Sequence, residues 1–126
     1  MTHITTNDIR GTLITRDGFK TVFQNRELPN MTVLSGELTP NASSDGHLHN
    51  CNDEVYHFVY GSGQFLLRYP DEDQGAVEYV YDVEPNSIVL VEEGVFHRVY
   101  NSGKEPMKWI SVYNGKRREQ SNNELA

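Results

Sequence analysis

Apolar and polar residues alternate along most of this chain, in short runs separated by turn-forming residues. Alternation with a period of two places successive side chains on opposite faces of a β-strand. The runs predict nine strands, over residues 12–15, 20–23, 31–38, 54–60, 64–69, 77–83, 87–91, 95–100 and 107–113. No run repeats with the period of an amphipathic helix. So many short strands predict an all-β fold, built as a sandwich or a double-sheet roll.

The length of 126 residues predicts a single domain over 1–126. Its polar ends, about 1–10 and 115–126, are expected to be flexible or to add an edge strand. A net charge of -7 argues against nucleic acid and anionic membranes as partners, because both attract basic proteins. Cys51 is the single cysteine, and neither a signal peptide nor a transmembrane run is evident. We therefore expect a cytoplasmic protein.

Candidate chemistry is concentrated in residues 46–54, which read Gly-His-Leu-His-Asn-Cys-Asn-Asp-Glu. His47 and His49 are two apart, so on a strand they point to the same face. Glu54 begins the next apolar run after a polar turn, and His97 lies far downstream. Three imidazoles and one carboxylate suit one divalent transition metal. Iron or manganese is expected first, with zinc, nickel or copper as alternatives.

The spacing of these residues resembles the two sequence motifs of the cupin superfamily. The first motif is His-x-His, then glutamate after four residues and glycine after six more, as in His47, His49, Glu54 and Gly61. The second is glycine, two residues, histidine, three residues and asparagine, as in Gly94, His97 and Asn101. The resemblance covers roughly residues 41–101. It implies a cupin-type double-stranded β-helix, a jelly-roll barrel, with the metal held inside on the three histidines and the glutamate.

Three positions depart from these motifs. Asn41 and Asn86 stand where the family usually has glycine, and Glu92 stands where it usually has proline. Asparagine is the non-glycine residue that best tolerates left-handed backbone angles. We therefore expect Asn41 and Asn86 to maintain tight turns and the fold to be retained.

The strand that follows the first motif divides into two faces. One face carries Glu54, Tyr56, Phe58 and Tyr60, and the other carries Val55, His57 and Val59. If Glu54 points into the barrel, His57 points out of it and is a structural or interface residue. Tyr56 is the predicted catalytic residue, because a phenol near a metal can donate a proton or a hydrogen bond. Cys51, in the turn between the ligands, is expected to be inert.

The same alternation nominates a small-molecule pocket. Val99 shares the face of His97, and on the last strand Trp109, Ser111 and Tyr113 are the favoured inward set. Arg68 is a candidate for the barrel mouth, where it could meet an anionic group. The predicted pocket residues are Phe58, Arg68, Val99, Trp109 and Tyr113. Together they predict an interior that is largely apolar with few polar groups, as is usual for sites that bind small molecules.

Three functions fit this sequence. The first is a dioxygenase-type oxidoreductase acting on a small organic substrate, favoured narrowly by the aromatic interior and the lack of basic residues. The second is an isomerase, epimerase or lyase that acts on a sugar or keto acid and uses the metal as a Lewis acid. The third is a binding module without catalysis. A homodimer is expected from the resemblance, through the outer face that carries Val55, His57 and Val59.

Overall fold

The computed structural model describes residues 12–16, 19–25 and 28–115, with the side chains of 12–16 outside that description. The described strands are β1 (Thr12–Arg16), β2 (Lys20–Asn25), β3 (Met31–Leu38), β4 (Glu54–Tyr60), β5 (Gly63–Asp71), β6 (Gly75–Val83), β7 (Ile88–Val91), β8 (Phe96–Tyr100) and β9 (Met107–Asn114). Each overlaps a predicted strand. The prediction for the polar ends lies outside the described residues, except at Gly115. No helix in the described part of the chain is long and apolar enough to cross a membrane.

The strands form two antiparallel sheets. The larger sheet has six strands in the order β1-β2-β3-β9-β4-β7, and the smaller has three in the order β6-β5-β8. The main buried cluster combines Phe58 and Trp109 of the larger sheet with Phe65 and Val99 of the smaller one. Apolar side chains from both inner faces thus interdigitate, which is what stabilises a double-sheet fold. The all-β prediction is confirmed.

Alternating burial along β4 identifies the inner wall of the barrel. Its buried side chains are Glu54, Tyr56 and Phe58. His57 lies on the opposite face, as predicted, beside Ile88 of β7. Tyr60, which the alternation assigns to the same face as Glu54, is not buried there, since its side chain is 48% exposed. The pairing of β4 with β9 shifts register between Phe58 and Tyr60, and this irregularity ends the alternation.

The strand register aligns the inward side chains into rows across the larger sheet. What we call the ligand row contains Glu54 of β4, Tyr113 of β9 and Thr32 of β3, which are successive cross-strand partners. The next row, called the second row, contains Tyr56, Ser111, Leu34 and Gln24 in the same lateral order. Residues two apart on one strand are about 6.8 Å apart, so the two rows are neighbours on the inner wall.

Residues 41–49 run beside β8 as an irregular segment, without joining the sheet as a named strand. Backbone bonds join Asn41 N to Asn101 O at 2.8 Å and Ser44 N to Val99 O at 2.9 Å. Isolated bridges pair Ser43 with Tyr100 and His47 with His97. These bonds satisfy the backbone of a segment that has no regular partner strand and fix its position on the smaller sheet.

Two asparagines hold left-handed backbone angles, as the sequence predicts. The φ angle is 63° at Asn41 and 78° at Asn86. The backbone N–H of Asn86 donates to the carbonyl of Phe58 at 2.8 Å, which ties the turn before β7 to the neighbouring strand β4. The tolerance of asparagine for this conformation therefore explains how the chain keeps both turns without glycine.

The outer face of β4 and β7 carries exposed apolar side chains. Val55 and Val59 are 40% and 41% exposed, and Ile88 and Leu90 are 61% and 67% exposed. A homodimer through this face would remove apolar surface from water and cover the edge strand β7. The dimer stays a prediction.

The turn at Asn86 allows the energetic cost of its left-handed backbone angles to be measured. We expect Asn86→Ala to lower the free energy of unfolding by about 1–2 kcal/mol, because alanine has no local hydrogen bond to offset left-handed strain. Asn86→Gly is the matched control and should unfold at nearly the same urea concentration as the parent. Equal stability of the alanine variant and the parent would contradict the strain assigned to this turn.

Candidate metal centre

Three parts of the chain bring the predicted ligands together inside the barrel. His47 and His49 lie on the irregular segment, Glu54 begins β4, and His97 is on β8. His47 and His97 exchange two backbone hydrogen bonds, at 3.0 and 2.9 Å, so their side chains leave neighbouring backbones on the same side. Gly94 N donates to the carbonyl of His49 at 2.6 Å, which holds the other end of the segment.

The four side chains form a compact, buried cluster. The carboxylate Oε1 of Glu54 lies 3.1 Å from Nε2 of His49 and 3.2 Å from Nε2 of His97. The ring of His47 lies 4.8 Å from that of His49 and 4.4 Å from that of His97, measured between centroids. One possible ligand atom from each residue lies within 4.8 Å of all the others. The cluster expected from the two motifs is therefore present.

Hydrogen bonds outside the cluster orient its members. Nδ1 of His97 lies 3.0 Å from the carbonyl oxygen of Val95, which directs Nε2 of the same ring toward Glu54. A bond of this kind fixes the tautomer and the ring orientation of a metal-binding histidine.

The turn between His49 and Glu54 is also held from outside. The side-chain amide of Asn52 donates to the carbonyl of Asn114 at 2.8 Å, and Asp53 N donates to the side-chain oxygen of Asn114 at 2.8 Å. A carboxylate oxygen of Asp53 accepts from Glu93 N at 3.0 Å. The sequence motif does not identify Asn52, Asp53 or Asn114, because their partners are distant along the chain.

Glu54 is ionised in this environment. Its complete burial would raise the carboxyl pKa, but hydrogen bonds and charge interactions with His49 and His97 outweigh burial and lower the pKa to about 2. The carboxylate is therefore anionic at neutral pH and can neutralise part of the charge of a divalent cation.

The donor set fits a divalent transition metal. Oε2 of Glu54 is buried and makes no hydrogen bond to any residue that the structure describes. Buried polar atoms without partners are rare in native proteins, and a metal that accepts a lone pair would satisfy this oxygen. Imidazole nitrogens with a single carboxylate suit Mn, Fe, Zn, Ni or Cu.

Comparison with known proteins identifies the family. The family model of the cupin domain matches residues 34–113. The chain belongs to the cupin family. The jelly-roll barrel expected from the two motifs is therefore confirmed, and the metal-binding cluster of this cupin contains all the residues that the motifs nominate.

Known proteins are similar to this cupin either over part of the sequence or in the fold. Glucose-6-phosphate isomerase of Thermococcus gammatolerans is 34% identical over 70 residues, which are 54% of this chain and 35% of the relative. The match thus spans about a third of the relative's length. KdgF from Halomonas sp. has a TM-score of 0.67 at 12% identity, over 85% of this chain and 90% of that chain. Oxalate decarboxylase of Bacillus subtilis has a TM-score of 0.71 at 16% identity, over 86% and 29%. These two structures share the fold.

The structure places most of the predicted pocket residues in the interior. Tyr56, Phe58, Val99 and Trp109 are all buried in the main core cluster. The ring of Tyr56, the predicted catalytic residue, lies 5.6 Å from that of His97 and meets it edge to face. Tyr56 is therefore close to the ligands, and Phe58 and Trp109 pack farther along the wall.

Arg68, which the sequence analysis places at the barrel mouth, points away from the interior. Its guanidinium pairs with the carboxylate of Glu78 at 2.7 Å and packs over the ring of Phe96 at 4.5 Å. On β5 the buried positions are Gly63, Phe65 and Leu67, so alternation directs Arg68 outward. Its side chain is 39% exposed, and the ion pair lies on the outer surface.

Tyr113 contacts one of the ligands directly. Its hydroxyl is 2.9 Å from Nε2 of His49, and the two rings meet edge to face at 4.6 Å. Tyr113 is fully buried in the ligand row beside Glu54. Strand alternation predicts its inward direction, but only the register of β9 against β4 places the hydroxyl at the ligand atoms. Cys51 is exposed and makes no contribution to the cluster.

The four-ligand assignment predicts different outcomes for two histidines. His97→Ala should weaken Mn(II) binding at least about a hundredfold, because it removes one ligand and one partner of the buried Glu54 carboxylate. Metal content after dialysis and isothermal titration calorimetry measure this effect. His57→Ala, the same change on the outer face of β4, should bind metal like the parent. Normal metal affinity in the His97 variant would exclude that residue as a ligand.

Proposed function

We propose that this cupin is an enzyme that binds one divalent transition metal on His47, His49, Glu54 and His97 and acts on a small oxygen-bearing molecule. One observation carries the proposal: four buried donor groups converge, and Oε2 of Glu54 has no hydrogen-bond partner among the described residues. A site built only for stability would pair such an atom with a donor. Retaining it at the centre of the barrel favours a functional role.

A bound metal would supply Lewis-acid activation of a substrate oxygen. Tyr113 can hydrogen-bond a substrate oxygen there, because its hydroxyl already lies 2.9 Å from a ligand nitrogen. Phe65 stacks on His97 with rings 6.1 Å apart and 3° from parallel, and Tyr56 contacts the same imidazole. This aromatic wall excludes water from one side of the centre and so strengthens electrostatic interactions within it.

We favour proton-transfer chemistry, as in an isomerase, epimerase or lyase, on a sugar or a keto acid. The similarity in sequence to an archaeal glucose-6-phosphate isomerase supports this choice. A phosphate group is not expected on the substrate. Among the buried residues that the structure describes, the lysine or arginine is Lys20. It pairs with Leu38 at the end of β3 that lies away from the ligand row. That position is about 20 Å from Thr32 along the strand.

A dioxygenase is the second candidate. The wall near His97 is aromatic, and the main core cluster of the described residues contains no lysine or arginine. Such surroundings suit an enol or a phenol. Manganese is the first ion to test, since the Bacillus subtilis oxalate decarboxylase of similar fold has Mn(II) centres. Iron is the second, because oxygen chemistry commonly uses it.

The two candidates differ in what they consume. We expect Mn-loaded protein to exchange hydrogen for deuterium next to the carbonyl of a substrate sugar or keto acid in D₂O, without oxygen uptake. Proton NMR and an oxygen electrode measure the two quantities on the same panel. Substrate-dependent oxygen uptake would instead support the dioxygenase. A protein that binds neither Mn nor Fe after reconstitution would rule out both.

Tyr113 can be tested apart from metal binding. Tyr113→Phe should lower the exchange rate by about tenfold or more, because it removes one positioned hydrogen bond to the reacting oxygen. Its metal affinity should remain within a few fold of the parent, since the four ligands stay in place. The matched control is Tyr60→Phe, which removes a tyrosine hydroxyl from an exposed position. This variant should catalyse hydrogen–deuterium exchange at the parent rate. An unchanged rate in the Tyr113 variant would remove the hydroxyl from the mechanism.

A further inference from the structure

Two buried polar side chains on the inner wall of the larger sheet each have an atom without a hydrogen-bond partner among the described residues. Ser111 is fully buried and Gln24 is 3% exposed. Oγ of Ser111 and Nε2 of Gln24 make no hydrogen bond to any residue in the described ranges. Burying such groups without partners destabilises a folded chain, and native proteins keep few of them. Both positions would be better filled by apolar residues if stability alone decided them.

Both side chains lie in the second row, next to the ligand row. Ser111 is the cross-strand partner of Tyr56 on one side and of Leu34 on the other, and Leu34 is in turn the partner of Gln24. Ser111 is two residues from Tyr113 on β9, so the rows are about 6.8 Å apart. A molecule of a few carbon atoms that reaches the metal centre can therefore also reach the second row.

The chemistry of the pair selects a kind of ligand atom. A serine hydroxyl donates one hydrogen bond and accepts others, and the amide nitrogen of glutamine donates two. Neither group is charged, so the pair favours a neutral oxygen over a carboxylate or a phosphate. Gln24 and Ser111 stand two strand spacings apart, about 10 Å between backbones, with Leu34 between them as an apolar floor. The long glutamine side chain can bridge much of that distance.

We propose that Ser111 and Gln24 bind a hydroxyl group of the substrate while its carbonyl end reaches the metal centre. The substrate is then a hydroxylated carbonyl compound, with the hydroxyl on a carbon next to or near the carbonyl. This inference rests on the proposed metal-dependent function and deepens it by naming the substrate class. It also gives a reason for two groups that the ligand cluster does not use.

Two keto acids of equal size test the proposal on full-length protein loaded with Mn(II). 3-Hydroxypyruvate and 2-oxobutanoate have the same number of heavy atoms and differ by a hydroxyl in place of a methyl. Displacement of water from the bound Mn(II), followed by water-proton relaxation, gives the affinity of each. We expect the parent to bind 3-hydroxypyruvate about tenfold more tightly, since only that probe satisfies the buried groups.

Ser111→Ala and Gln24→Leu should bring the affinity ratio close to one and leave 2-oxobutanoate binding and metal content unchanged. Both variants should also melt at the same temperature as the parent or higher, because each removes a buried unsatisfied group. Ser35→Ala and Gln64→Leu are matched controls on outer faces, where Gln64 bonds to exposed Asp82 at 3.1 Å. The controls should keep the parent ratio.

The outcomes distinguish the hydroxyl-binding role of Ser111 and Gln24 from the metal-dependent function. A parent ratio near one, or a preference that survives Ser111→Ala and Gln24→Leu, would overturn the hydroxyl-binding role while leaving the metal centre intact. A parent ratio near one would be expected if a trapped water, and not a substrate hydroxyl, bonded to Ser111 and Gln24. Failure of the parent to bind Mn(II) at all would overturn the metal-dependent function, and the hydroxyl-binding role would fall with it.

Discussion

A carboxylate with no access to water is the constraint on which this molecule depends. Burial of Glu54 in the barrel would force the group to become neutral unless hydrogen-bond donors and positive charge compensate for lost hydration. His49 and His97 supply that compensation from two other parts of the chain. The fold must therefore bring a loop segment and a strand of the smaller sheet to the first residue of β4.

The irregular segment over 41–49 meets this requirement through its backbone. A regular strand there would be fixed by a continuous ladder, whereas this segment is held by separate bonds to β8 and by the His49–Gly94 bond. The side chains of Asn52 and Asp53 then direct the chain from the segment into β4. The ligand cluster and the jelly-roll barrel therefore form together, because the same backbone bonds that hold this segment on the barrel also set the distances between the ligands.

Local patterns predict much of this structure. Alternation finds the strands, the two motifs find His47 and His97 as neighbours, and the conformational tolerance of asparagine predicts the turn at Asn86. Prediction fails where a position depends on contacts that are distant in sequence. The register shift that exposes Tyr60 and the ion pair that holds Arg68 outside arise from neighbouring strands.

Cross-strand register also explains why Gln24 has no signal in the sequence. Its alternation on β2 shows that it points inward, but its alignment with Ser111 requires the pairing of three strands. Sequence alone likewise places Tyr113 on the inner wall without showing that its hydroxyl reaches His49. Direction is a local property of a strand, whereas proximity across a sheet is not.

The convergence of ligands from residues 47–54 and from His97 has a consequence for the whole polypeptide. An ion bound by all four would close a loop of more than forty residues and act as a reversible cross-link. Such a link restricts the unfolded chain and adds binding free energy to the folded one, so folding and metal uptake become thermodynamically coupled. The resistance of this protein to unfolding would then vary with the metal supply of the cell that contains it.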